Sequence, residues 1–365
     1  MRRIAPPLVL ACLFVLVVLP LHADEGRTHH CATSEEIHAA LEIVEPGDTI
    51  LLEGGTVYEI GKSLRLKAAG TAGERITFTS EDSSGQGRYA VISTLDQRKE
   101  PDLVAIKLTG SFWTVSRIEI SGERVPLDDG YWDTKGFRLG IFLQGRDSHN
   151  NIVEDVHIHN THNAAVAVRD DSHNNEFRRL RIHHIGEWLD EDYNAHEAEG
   201  FYLGSSKGVA EAGNNARVHN ILIEDTVIGP GLLGQYVDIK YAASKVTVRN
   251  NTFYCEDNSY NEEIVKLAGF ANVIENNKFV GSSDNLTRYI HVFEKRTEDP
   301  VRVDYLGQED IPAPTGQDNT IVNNVFYTDD PDILVVRNDL KGDKRASLVV
   351  DGNLIKPVDQ ATGNN

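Results

Sequence analysis

Val237-Asp238-Ile239, Asn250-Asn251-Thr252-Phe253, Val265-Lys266-Leu267 and Asn276-Asn277-Lys278-Phe279 follow one another as two copies of one unit. Each copy pairs an apolar–x–apolar strand with a later corner of the form Asn-Asn-x-Phe. The strand element occurs seven times, at Ile141–Leu143, Val166–Val168, Phe201–Leu203, Val237–Ile239, Val265–Leu267, Ile290–Val292 and Leu334–Val336. Strict alternation marks a strand buried on one face only. The corner returns as Asn323-Asn324-Val325-Phe326 and Gly352-Asn353-Leu354-Ile355. Copies recur every 25 to 45 residues or about that, a period that signals a solenoid whose rungs are stable only when stacked. Strands without a helical period make it all-β, a single-stranded parallel β-helix. Outward residues of successive rungs then form columns about 4.8 Å apart.

The rest of the chain fits one domain. Arg2 and Arg3 precede an apolar run from Leu8 to Leu21, and Ala23 offers a small residue for cleavage. The run is short for a membrane span, so residues 1–23 read as a secretory signal peptide. The β-helix is expected over 24–356, with a polar tail over 357–365. Thr33 and Glu36 form a capping box before Ile37, Ala40, Leu41 and Val44, which share one helical face. A short helix there would cap the N-terminal end of the coil. Stretches 122–139, 186–199 and 295–318 are too long for simple turns and read as insertions. The paired asparagines read as structural, because Asn tolerates left-handed geometry and its side chain bonds to neighbouring backbone.

The formal net charge is −20, and loss of Arg2 and Arg3 with the leader makes it more negative. That balance speaks against nucleic acid as a partner. It also disfavours a polyanionic sugar unless a local basic stripe or bridging cations interrupt it. Outside the leader the cysteines are Cys31 and Cys255. Several rungs should separate them, so no disulfide between them is expected.

Aligning the seven strands on their inward pairs exposes the outward columns. The central one reads Phe142, Ala167, Tyr202, Asp238, Lys266, His291 and Val335. The next reads Gln144, Arg169, Gly204, Lys240, Ala268, Phe293 and Arg337, and a column on the other side includes Tyr236 and Tyr289. Charges of both signs and aromatics thus concentrate on the middle rungs. They suit elimination at a uronic acid, which needs a cation to neutralise the carboxylate and a base for the adjacent C–H. Lys240 and Lys266 are candidate bases close enough to lower each other's pKa, while Asp238 between them works against that effect unless a metal occupies it. His291 or one of the tyrosines is the candidate acid, and Arg169, Tyr202, Tyr236 and Tyr289 are candidates for substrate binding. Asp238 and Glu199 are candidate ligands for a calcium ion. The plainer reading of the same residues is a surface cross-strand ion pair between Asp238 and Lys266.

The opening, Glu45-Pro46-Gly47-Asp48-Thr49-Ile50 through Gly55-Thr56-Val57-Tyr58 and on to Glu74-Arg75-Ile76, resembles the start of alginate lyases and chondroitinase B. The chain is thereby similar to the secreted right-handed β-helix proteins of the pectate-lyase-like superfamily. The middle, with Glu199-Gly200-Phe201-Tyr202-Leu203-Gly204-Ser205 and Val237-Asp238-Ile239-Lys240, resembles uncharacterised secreted β-helix proteins. The resemblance implies the fold but departs at the chemistry. Aligned through Arg249-Asn250-Asn251-Thr252-Phe253, the lyase family's calcium-binding acids fall at Gln235 and Val237, and its lysine base at Ala242. The expectation is therefore a secreted polysaccharide lyase, or a C5-epimerase using the same proton abstraction, with chemistry rearranged around Lys240, Lys266 and Asp238. Its partner would be an acidic polysaccharide, met by a monomer free of any membrane once the leader is removed. Two other readings stay open: a glycoside hydrolase using Asp238 and Glu199, and a non-catalytic carbohydrate-binding surface protein.

Overall fold

The computed structural model describes residues 26–82, 85, 88–94, 103–126, 132–186, 198–205, 217–256, 262–294, 302–305, 308–312 and 314–361. The expected signal peptide lies outside the described residues, as does most of the 186–199 insertion.

Alternating apolar residues build a parallel β-helix. A nine-stranded parallel sheet runs from Leu64–Leu66, through Ala164–Arg169, Glu199–Leu203, Val237–Ile239, Glu263–Leu267 and Arg288–Val292, to Leu334–Asn338. A nineteen-stranded sheet forms the remaining walls of the coil. Val237, Ile239, Val265 and Leu267 point inward and are fully buried, as the alternation predicts. Phe253, Phe279 and Phe326 stack in the core with ring centroids 4.7 and 4.6 Å apart.

The Asn-Asn corners hold the rungs in register. Asn250, Asn276 and Asn323 take positive φ values of 57°, 56° and 56°, a conformation that Asn adopts more readily than most residues. The second asparagines are buried and bonded upward. The backbone N–H of Asn251 donates to Asn277 Oδ1 at 3.0 Å, that of Asn277 to Asn324 Oδ1 at 2.9 Å, and that of Asn324 to Asn353 Oδ1 at 2.9 Å. A parallel set joins Val246, Asn272 and Asn319. Each rung's polar side chain satisfies the buried backbone of its neighbour, so the cost of an unpaired group is avoided.

The helix Ser34–Ile43 caps the N-terminal end, with both capping-box bonds of Thr33 and Glu36 formed and Ile37, Ala40 and Leu41 buried. Two insertions are antiparallel hairpins, Glu123–Pro126 with Trp132–Lys135 and Arg302–Tyr305 with Gln308–Pro312. Cys31 and Cys255 are free and buried. No helix among the described residues is long and apolar enough to cross a membrane.

Candidate active site

The central outward column forms as the alignment predicts. Phe142 pairs with Ala167, Ala167 with Tyr202, Tyr202 with Asp238, Asp238 with Lys266 and Lys266 with His291. The last rung is displaced by two residues: Arg337, and not Val335, stands beside His291. The inward pair there is Val336 and Asn338, so the apolar pattern Leu334–Val336 misplaces the register where the core ends.

Tyr236 and Tyr289 are not on this surface. Both are fully buried, with their hydroxyls donating to the carbonyls of Tyr254 at 2.6 Å and Gly281 at 2.8 Å. Alternation fails just before the inward pair, because the chain enters the strand through a corner and two consecutive residues face the core. Gly200 marks the same position, where a Cβ would meet the Tyr236 carbonyl oxygen at 2.5 Å. The true flanking column therefore lies one residue earlier. It contains Glu199, Gln235, Glu263 and Arg288, tied by Gln235 Nε2 donating to Glu263 Oε1 at 3.2 Å and by an Arg288–Glu263 pair at 2.5 Å.

Tyr202 is the centre of the patch. It is nearly buried, and cations cover both sides of its ring. The Arg169 guanidinium carbon lies 4.3 Å from the ring centroid and Lys240 Nζ lies 4.4 Å from it. Lys240 also bonds to Asp238 Oδ2. Asp238 is 1% exposed, and its Oδ1 has no hydrogen-bond partner among the described residues. Burial alone would lower the pKa of Lys240, but Asp238, Tyr202 and Glu199 outweigh it and raise the pKa. The expected lowering of this lysine by Lys266 is therefore overturned, since the opposite charge is in contact and the like charge is not. Lys240 rests as a cation.

Lys266 lies beside Asp238 in register, with Nζ 5.8 Å from the Phe293 ring centroid. The Asp238 ion pair expected of Lys266 is instead made by Lys240, two residues along the chain and just past the end of the strand Val237–Ile239. His291 stands next in the column, but carboxylates face both its nitrogens: Asp339 Oδ2 at 3.0 Å from Nε2 and Glu263 Oε2 at 3.6 Å from Nδ1. Burial opposes ionisation of Glu263, yet His291, Arg288 and Lys266 hold its carboxyl down at about 2. His291 thus belongs to a charge network at the C-terminal side of the patch. Sequence reasoning missed Tyr241, whose pKa burial raises and Asp238 and Tyr202 raise further, against Lys240. It follows Lys240 past the end of the strand, where period-two alignment gives no signal.

The donor set does not fit calcium, which takes six to eight oxygen ligands or about that number. Asp238 already holds the Lys240 ammonium, the charge of Lys266 also acts on it, and Glu199 acts on Lys240, so both candidate carboxylates answer to cationic side chains.

A family model described as the Pel9A-like, right-handed β-helix region matches residues 17–221. Among solved structures, the alginate lyase from Paenibacillus sp. str. FPU-7 aligns at TM-score 0.67 and 24% identity, over 90% of this chain and 98% of that one. A rhamnogalacturonan lyase aligns at 0.54 and 16% identity, over 90% and 87%. ORF18 of Geobacillus virus E2 aligns at 0.56 and 12%, over 82% and 52%. These chains share the fold. No curated protein matches the sequence.

Proposed function

The chain belongs to the Pel9A-like right-handed β-helix family, and from that premise we propose that it is a secreted polysaccharide lyase cleaving a uronate-containing glycan by β-elimination. The observation that carries this reading is the Tyr202 ring held between Arg169 and Lys240. Around it runs a basic stripe on an otherwise acidic protein: Lys107, Arg169, Lys240, Lys266 and Arg337 all project from one sheet. Such a stripe removes the charge objection to an anionic sugar, since field lines from clustered cations focus locally.

On this reading the residues of the patch divide the chemistry between them. Arg169, against the Tyr202 ring, binds the uronate carboxylate and stabilises the enolate that develops when the neighbouring C–H is lost. Tyr202 takes that proton. It must enter the step ionised, with Arg169 and Lys240 beside its ring to compensate the charge. The C–H electron pair becomes the new C=C bond as the glycosidic C–O bond breaks. Lys240, resting charged, gives its proton to the leaving oxygen, and Asp238 holds it in place. A proton passed from Tyr202 to Lys240 resets the site. The Arg2–Arg3 and Leu8–Leu21 leader supports an extracellular or periplasmic address.

The test is ultraviolet absorbance of the unsaturated product on alginate, pectate, glucuronan and chondroitin. Absorbance should rise on one of them, persist with a calcium chelator, and vanish in Tyr202→Phe and Lys240→Ala. Reducing ends released without absorbance, or no reaction on any of the four, would overturn the proposal. So would full activity in both variants.

A further inference from the structure

On another wall of the coil, among the described residues, one set of three His and acidic side chains gathers its ligand atoms within 4.8 Å of one another: Glu119, His157 and His159. We infer that these three side chains form a binding site for one late first-row divalent ion of the zinc class, an N2O set separate from the Tyr202 patch, with His183 packed behind His157.

The β-helix itself makes the cluster. Glu119 pairs with His157 across one rung, and His159 pairs with Ser121 on one side and His183 on the other. Residues 119, 157, 159 and 183 therefore occupy adjacent outward positions on three successive rungs. The contacts are close. His159 Nε2 lies 3.0 Å from Glu119 Oε1, and His157 Nδ1 lies 3.8 Å from Glu119 Oε2. His157 Nε2 lies 2.7 Å from His183 Nε2. Ligand atoms at 2.0–2.1 Å around a tetrahedral ion are about 3.3 Å apart, and the two separations from Glu119, 3.0 Å to His159 Nε2 and 3.8 Å to His157 Nδ1, bracket that need. The His157–His183 contact is a hydrogen bond between the two imidazoles, and it orients His157 with Nδ1 toward Glu119.

Outer contacts suit the role. Asn160 Nδ2 lies 3.0 Å from His159 Nδ1, and His184 Nδ1 lies 2.6 Å from His183 Nδ1. Each can fix a ring's orientation, and Asn160, which also donates to the Gly122 carbonyl at 3.3 Å, leaves His159 Nε2 toward the cluster. The side chains of Glu119, His157 and His159 are 35%, 28% and 14% exposed, so an ion can enter. Imidazole with one carboxylate selects zinc or its neighbours and not the hard cations calcium or magnesium. Such an ion would staple two neighbouring rungs at the root of the Glu123–Lys135 hairpin.

The experiment uses tag-free, chelator-treated mature protein, titrated calorimetrically with zinc and optically with cobalt. We expect one ion per chain, the visible bands of tetrahedral cobalt, and a higher Tm with zinc but not with magnesium. Affinity should fall at least about tenfold in His157→Ala and His159→Ala. It should hold in His149→Ala, which alters a different histidine stack. If the alanine variants do not fold, Glu119→Gln carries the test, and unchanged affinity there overturns the site. No binding by the wild-type chain, or equal binding by the His157→Ala/His159→Ala double variant, also overturns it.

Discussion

At the residue scale, the Lys240–Asp238 pair couples stability to the proposed chemistry. Removing only the cation leaves a buried carboxylate without compensation, which costs on the order of 3 kcal/mol. Lys240→Met should lower the urea midpoint accordingly, and Lys240→Met/Asp238→Asn should recover most of that loss while staying inactive. Recovery of activity along with stability would mean that Lys240 only supports the strand. Glu263 supplies a pH signature. Its carboxyl is held down at about 2 against an ordinary 4.5. A depressed acid stabilises the fold fully above the ordinary value, and the contribution disappears as pH falls through the folded one. The Tm of the wild-type chain should drop between about pH 4.5 and 2 more steeply than that of Glu263→Gln. Parallel curves would remove Glu263 as the cause. The columns of Tyr202, Asp238, Lys266 and His291 were legible in the sequence. Which of these touches which was not, because side-chain reach decides that Lys240, and not Lys266, meets Asp238.

Strands and corners are the elements, and the asparagines fix how they join. Asn277 serves four buried groups: its Oδ1 accepts from Asn251 N–H and Nδ2, and its Nδ2 donates to the Val248 carbonyl and to Asn324 Oδ1. Asn277→Ala would strand those groups, and each costs about 1–3 kcal/mol when unpaired and buried. We expect a cooperative loss of several kcal/mol by denaturant unfolding, whereas Asn276→Gly should be nearly neutral because glycine accepts the same positive φ. A mild Asn277→Ala would show that water replaces the bonds. The sequence announced this role through repetition alone. It failed at Tyr236 and Tyr289, where a chain entering a strand from a corner puts two neighbours on one face.

For the whole molecule, the fold is a stack whose ends need protection. The Ser34–Ile43 helix covers one end, and Ile37 is fully buried beneath it. Ile37→Asp should open that end, so light scattering on mild heating should rise well before the wild-type Tm. An unchanged aggregation temperature would mean that the first rung closes itself. The charge layout is also a whole-molecule property: the chain carries −20 while one sheet carries the basic stripe.

From its own letters the chain determined the solenoid, the capping helix, the structural asparagines and the central column. Period and spacing are local quantities, and stacked rungs convert them directly into neighbours. Tertiary structure alone decided the ion pairing of Lys240, the burial of Tyr236 and Tyr289, the displaced last rung and the entry of Tyr241. It also gathered Glu119, His157, His159 and His183, whose rungs lie far apart along the chain. Those outcomes depend on corners, side-chain length and desolvation, which no repeat period encodes.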